Sequence, residues 1–195
     1  MLIAVRGKDI KVKGLSWEIA YDRKRGIDRK STPDNLRVDI CINNKDIHIW
    51  GIRIKDLSGN YDKRKVEMKT LVEWVNNTTG INIIVGDFNN LREDTIIGTW
   101  NLKVLDELLG DKLERETPKE NYSWGVAKSK DQFVGYIKND HLIHSKEVEA
   151  NVDEYIWDFL KKCDYELKAP AFGRQQLKIP VCQPDHGILI GTVTI

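Results

Sequence analysis

Asp87 and Asn89 stand two residues apart in Val85-Gly86-Asp87-Phe88-Asn89-Asn90, directly after the apolar run Ile81-Asn82-Ile83-Ile84. A carboxylate can take a proton from water or bind a cation, and a carboxamide two residues on can donate to a phosphoryl oxygen. The same Asp-x-Asn spacing also suits a turn in which both side chains bond their own backbone. Two further pairs give the motif company: Asp140-His141 ahead of Leu142-Ile143-His144-Ser145, and Asp185-His186 ahead of the alternating segment Gly187–Ile195. His186 has the chemistry to donate to a phosphate oxygen, and Asp185 can ligate a hard cation through oxygen, as magnesium demands. Asp140 can hold the His186 imidazole in one tautomer and stabilise its charged form. Each Asp-His pair taken alone also suits strand-end capping. Together the three sites are more than chance would place in one chain.

Elements that could position these residues are legible around them. Between Leu36 and Ile54 apolar residues alternate about Asn43-Asn44-Lys45-Asp46, the pattern of two half-buried strands joined by a tight turn. Leu2–Ala20 alternates in part and predicts one or two more strands. Tyr21–Asp34 is charged, holds Gly and Pro and has no apolar face, so it reads as an exposed loop whose five basic residues could meet phosphate. From Asp62 to Asn77, Val66, Leu71, Val72, Trp74 and Val75 fit one face of a helix that ends in Asn76-Asn77-Thr78-Thr79-Gly80. INIIVG then suits a strand buried on both faces, and helix followed by buried strand is an α/β signature. The end of such a strand is where α/β sheets gather ligand groups, which places Asp87 well. Asn101 can cap a second helix whose Leu102, Leu105, Leu108 and Leu109 share a face, with Gly110 as the stop. Strands are expected at Tyr122–Val126, Phe133–Ile137 and His141–His144. Val152, Tyr155, Ile156, Phe159, Leu160 and Cys163 have the spacing of an amphipathic helix, and Gly187–Ile195 reads as a terminal strand.

Composition bounds the rest. The 195 residues are 41% apolar, enough for one core and one domain over 1–195. Lys and Arg total 31 against 30 Asp and Glu, so the net charge of +1 lacks the strong positive field of a dedicated nucleic-acid binder. Cys41, Cys163 and Cys182 are odd in number and far apart, which argues for reduced, mostly buried thiols rather than disulfides or zinc. The start MLIAVRGKDIKVKG is too short and too charged for a signal peptide, and no stretch approaches a membrane span. A soluble, cytoplasmic protein without a membrane partner is the expectation.

GDFNN, then Tyr122-Ser123-Trp124, then KNDHLIHS, then QPDHGILIGTVTI, in this order, resemble the endonuclease/exonuclease/phosphatase superfamily, which includes pancreatic-type deoxyribonucleases and abasic-site endonucleases. The similarity covers Leu36 to Ile195, and the helix beginning Lys63-Arg64-Lys65 sits where the family has its Arg-bearing helix. The resemblance implies an α/β fold: a four-layer αββα sandwich of two mixed sheets, with the site where the loops after Val85, Lys138 and Gln183 converge. It implies a divalent-metal-dependent phosphodiester hydrolase, most simply a nuclease, using Mg2+ or Mn2+ on nucleic acid or a small phosphodiester. In it Asp87 would activate water and, with Asp185, bind metal, Asn89 and Arg53 would contact phosphate, Asp140 would pair with His186, and His186 would stabilise the developing charge. Against the family pattern, nothing in Met1–Asp34 matches the opening strand that carries an Asn or Asp or the Gln-Glu segment that follows it, leaving Glu18 as the only candidate for the metal-ligand Glu. Arg53 stands where many members have His, and Pro184 where they have Ser. These departures leave a second function in view, a catalytically degenerate member that binds nucleic acid or protein through Arg23–Lys30, Trp17, Trp50 and Trp124. They also suggest a partner that completes the N-terminal part of the sheet.

Overall fold

The computed structural model describes residues 3–4, 6, 10–18, 21–22, 27–28, 33–54, 61–90, 100–119, 122–129, 132–157 and 186–195. Strand β1 (Lys11–Glu18) comes from the block where one or two strands were expected. The segment read as a loop contains a two-residue ladder, β2 (Tyr21–Asp22) against β3 (Ile27–Asp28). β4 (Asp34–Ile42) and β5 (Lys45–Arg53) form the expected hairpin. Its turn residues Asn43 and Asn44 have φ of 51° and 62°, a left-handed pair that asparagine tolerates and that matches the twist of the flanking strands.

Helix α1 (Tyr61–Asn76) crosses from β5 to β6 (Ile81–Asp87), the connection a parallel pair requires. Its buried stripe is Arg64, Glu67, Met68, Leu71, Val72 and Val75. Val66, expected on that stripe, is 44% exposed, because Met68 rather than Val66 keeps the three-and-four spacing with Leu71, Val72 and Val75. Burying each large apolar side chain contributes about 1.5–3 kcal/mol, so packing rather than propensity holds this helix. Asn101 caps α2 (Leu102–Leu109) by accepting from Val104 N at 3.0 Å, and Gly110 stops it at φ 64°.

Strand β7 (Leu113–Glu116) was not anticipated, since Leu-Glu-Arg-Glu holds a single apolar residue. β8 (Trp124–Ser129), β9 (Gln132–Ile137) and β10 (Asp140–Ser145) fall where strands were expected. The helix read from Val152 onward is contradicted over its first residues: Glu149–Ile156 is strand β11, paired with β12 (Ile188–Thr194). A register shift between Val152 and Glu154 breaks the alternation of β11, so Val152, Tyr155 and Ile156 fall at three-and-one spacing and imitate a helix. Phe159, Leu160 and Cys163 lie outside the described residues. Cys41 is a free thiol, half-buried rather than buried, and Cys182 also lies outside them.

The main sheet has six strands in the order β1-β4-β5-β6-β10-β7, with β5 and β6 parallel and the other neighbours antiparallel. One face carries Trp50, Ile52, Ile54, Ile84 and Ile143 against α1, α2, Phe88 and Trp100. The other carries Val38, Ile40, Ile47 and Ile81 against Val148, Val193 and Ile195, so the two-stranded β11-β12 sheet covers it. The fold is therefore α/β, a two-sheet sandwich with helices on the outer face of the larger sheet. No described helix is long and apolar enough to cross a membrane.

Gly86, one residue before Asp87, has φ 149°, and a Cβ there would lie 2.0 Å from the Ile52 carbonyl oxygen. Only glycine fits both the conformation and this close approach. Gly86→Ala is expected to destabilise the protein by about 3 kcal/mol or more, read as a lower urea midpoint at unchanged slope.

Candidate active site

Asp34, Arg53, Asp87 and Asp140 form one row across β4, β5, β6 and β10, because each is the register partner of the next. Residues in one row share a face, here the face that β11 and β12 cover. His186 reaches the row from the other sheet. Its backbone bridges Trp124 just ahead of β12, and its Nδ1 lies 2.7 Å from Asp140 Oδ2. One donor atom from each of Asp87, Asp140 and His186 lies within 4.8 Å of the other two. Arg53 is half-exposed at the rim, its Nε 3.8 Å from Asp87 Oδ2.

The Asp87-Phe88-Asn89 turn is built to aim Asp87. Asn89 adopts φ 45°, donates its backbone N–H to Asp87 Oδ1 at 2.8 Å, and donates its amide to Asp87 Oδ2 at 3.0 Å and to the Ile54 carbonyl at 2.7 Å. The turn-forming alternative is thus realised alongside the site. Donation from Asn89 to a phosphoryl oxygen requires one of these amide bonds to be exchanged. Phe88 at 0% exposure anchors the turn, its N–H donating to the Asn139 carbonyl and its carbonyl accepting from Trp100 Nε1.

A cavity of ≈ 450 Å³ runs between the sheets below the site, lined by Ile83, Val85, Leu142, Leu189 and Val193, and reaches Asp140 and Gly187. This apolar floor leaves Asp87 poorly solvated. Burial, then the charge of Asp140, push its pKa up to about 6, against the opposing pull of His186, the Asn89 N–H and Arg53. Because the folded-state value is raised, the ionised carboxylate opposes folding: stability present below the ordinary value of 3.8 is lost as pH rises through about 6. Asp87→Asn is therefore expected to stabilise the metal-free protein by on the order of 2–3 kcal/mol at pH 8. The gain vanishes below pH 3.8, which urea titrations at the two pH values check.

Of the residues singled out in the sequence, Asp87, Asn89, Asp140, His186 and Arg53 come together. Asp185 lies outside the described residues. The backbone of Glu18 pairs with Asn35 at the end of β1, about 14 Å from β6 by strand spacing, and its side chain lies outside the described residues. Most of the basic loop Arg23–Lys30 is likewise outside them, as is the side chain of Trp17. Trp50 is corrected: it is 4% exposed, with Nε1 donating to Asn82 Oδ1 and Arg37 stacked on its ring, so it belongs to the core and not to a binding surface.

His141, the other half of the first Asp-His pair, turns away from the site because it follows Asp140 in the strand. It is fully buried against Phe88, with Nε2 2.8 Å from Asn90 Oδ1 and Nδ1 2.8 Å from Thr117 Oγ1. Asn90 spends its amide on the Lys138 carbonyl, so its oxygen accepts from His141 Nε2 and Thr117 donates to Nδ1. Burial, Arg115 and Lys138 hold the His141 pKa well below its ordinary value and keep the ring neutral. Buried Arg64 donates to the Asn89 carbonyl at 2.8 Å and supports the turn from α1. Its position in the family's Arg-bearing helix was legible; its partner was not.

No family model and no curated protein matches the sequence. Solved structures do match. An endonuclease/exonuclease/phosphatase from Bacteroides vulgatus superposes with TM-score 0.58 at 8% identity, covering 96% of this chain and 67% of that one. The human Nocturnin catalytic domain with bound sulfate anion gives 0.53 at 11% identity, covering 95% and 61%. D. rerio TDP2 complexed with single strand DNA product gives 0.51 at 12% identity, covering 75% and 58%. The chain has the endonuclease/exonuclease/phosphatase fold. It spans about three-fifths of the length of the TDP2 and Nocturnin structures. Within the endonuclease/exonuclease/phosphatase fold of this chain, the Asp87, Asp140 and His186 groups meet at one end of the sandwich, where both sheets contribute. Two carboxylates and an imidazole around a half-buried point form a donor set that could hold a divalent cation.

Proposed function

We propose that this chain is a divalent-metal-dependent phosphodiester hydrolase of nuclease type. The observation that carries the reading is the convergence of Asp87, Asp140, His186 and Arg53 at one end of the sandwich. Asp87, with Asp185 beside His186 in sequence, would hold Mg2+ or Mn2+. The chemistry such an ion supplies when bound is polarisation of a phosphoryl oxygen and stabilisation of the departing alkoxide. Asp87 takes a proton from the attacking water as its oxygen bonds to phosphorus and the ester P–O bond breaks. His186, oriented by Asp140 through Nδ1, presents its other ring nitrogen to the charge that develops on phosphoryl oxygen. Arg53 at the rim binds phosphate through its planar fork. Nucleic acid as substrate is supported by the DNA product held by D. rerio TDP2, and a small phosphodiester suits the same groups.

The test is Mg2+- and Mn2+-dependent cleavage of plasmid DNA and of bis(p-nitrophenyl) phosphate, with chelator as control. Metal-dependent turnover abolished by chelator is the expected result. Well-folded protein without turnover that binds DNA with steep salt dependence would move the assignment to a catalytically silent binding module.

A further inference from the structure

Asp140 stands in β10 of the main sheet and His186 just ahead of β12 of the smaller one, so something must fix these two segments against each other. Two fully buried hydroxyls do so. Ser123, at 0% exposure, accepts from the backbone N–H of Asn139 at 2.6 Å and of Asp140 at 3.0 Å through Oγ. Its carbonyl accepts from the N–H of Gly187, next to His186, at 2.7 Å. Tyr155, at 1% exposure, stands on β11 opposite Leu189 of β12 and reaches across the sandwich, where its hydroxyl donates to the Asp140 carbonyl at 2.6 Å. The two hydroxyls thus hold the Asp140 backbone from both ends, Ser123 at its N–H and Tyr155 at its carbonyl.

We propose that Tyr155, acting with Ser123, is a positioning residue that sets the Asp140–His186 separation by strutting the small sheet against β10. Burial and the charge of Asp140 raise the Tyr155 pKa well above the ordinary phenol value, so it remains a neutral donor across the working range. Removing the phenol hydroxyl leaves the Asp140 carbonyl one partner short while keeping the ring volume. The geometric part of this proposal stands on the structure alone, and its catalytic part rests on the hydrolase reading above.

Tyr155→Phe tests it with two readouts. The first is the low-field proton resonance of His186 Nδ1–H, assigned by its loss in His186→Gln; the second is kcat and KM for bis(p-nitrophenyl) phosphate. The expected result is loss or displacement of the resonance and a kcat lower by about 10-fold to 100-fold, because sub-ångström misplacement of catalytic groups is costly, with KM within about twofold. Ser123→Ala should move the same resonance, and the double variant should do little more than either single one, since both act on the backbone of Asp140. A lowered melting temperature with the resonance and kcat unchanged would mean the hydroxyl is only structural and would overturn the proposal. Absence of the resonance in the parent protein would overturn it too. A parent without hydrolytic activity whose resonance moves in Tyr155→Phe would sink the hydrolase reading and leave the positioning role standing.

Discussion

Replacing Asp87 with asparagine should lower metal-dependent turnover by about 10²–10⁴-fold, the range a positioned general base supplies. The substitution keeps shape and leaves one oxygen to accept from the Asn89 N–H, now at 2.8 Å; the Asn89 amide loses its bond to Oδ2 and keeps the one to the Ile54 carbonyl. What is lost is the ability to take a proton and to meet a cation with a full charge. The variant should be more stable than the parent at neutral pH while less active, because the buried carboxylate that is useful in catalysis opposes folding. Single-turnover rates and urea midpoints measured on one preparation check both halves. A variant that hydrolyses model diesters as fast as the parent would remove Asp87 from the mechanism.

Asp140→Asn is the second large effect. An asparagine can accept from His186 Nδ1, now 2.7 Å from Asp140 Oδ2, but cannot stabilise a charged imidazole as a carboxylate does. The expected loss is about 10²–10⁴-fold in kcat, by analogy with neutralising the carboxylate behind a catalytic histidine. The same change also acts on Asp87. Asp140 is the second largest influence raising the Asp87 pKa, so its neutralisation lets that pKa fall toward the ordinary carboxylate value. Carboxyl-carbon NMR titration of the metal-free protein should show the Asp87 transition at lower pH in the variant. An unmoved transition would mean that burial alone sets it.

How much of this was legible depends on the reach of each interaction. The hairpin about Asn43-Asn44, helix α1, buried strand β6 and the cap at Asn101 were readable because local alternation, helical spacing and turn chemistry specify them within a few residues. Asp87, Asn89, Asp140 and His186 were readable because strand ends put them in order. The row that joins Asp34, Arg53, Asp87 and Asp140 was not, since it arises from register between four strands, and register is a tertiary property. β11 was misread for a physical reason: an irregularity after Val152 shifts its alternation, and three-residue spacing of apolar groups is ambiguous over so short a run. Tyr155 was counted as an apolar helix residue, whereas its hydroxyl turned out to be the informative atom. Trp50 shows the opposite error, an aromatic credited with binding that spends its ring on the core and its N–H on Asn82.

Asp140 and His186 lie 46 residues apart in the chain, Asp140 in β10 of the main sheet and His186 just ahead of β12 of the smaller one. Such a contact closes a long loop, and non-local closures form late because their entropic cost precedes any reward. During refolding, helix content and the β4-β5 hairpin should therefore return before the two sheets dock. Closure of the Asp140–His186 contact would then trail recovery of secondary structure, making that contact a clock for the final assembly step.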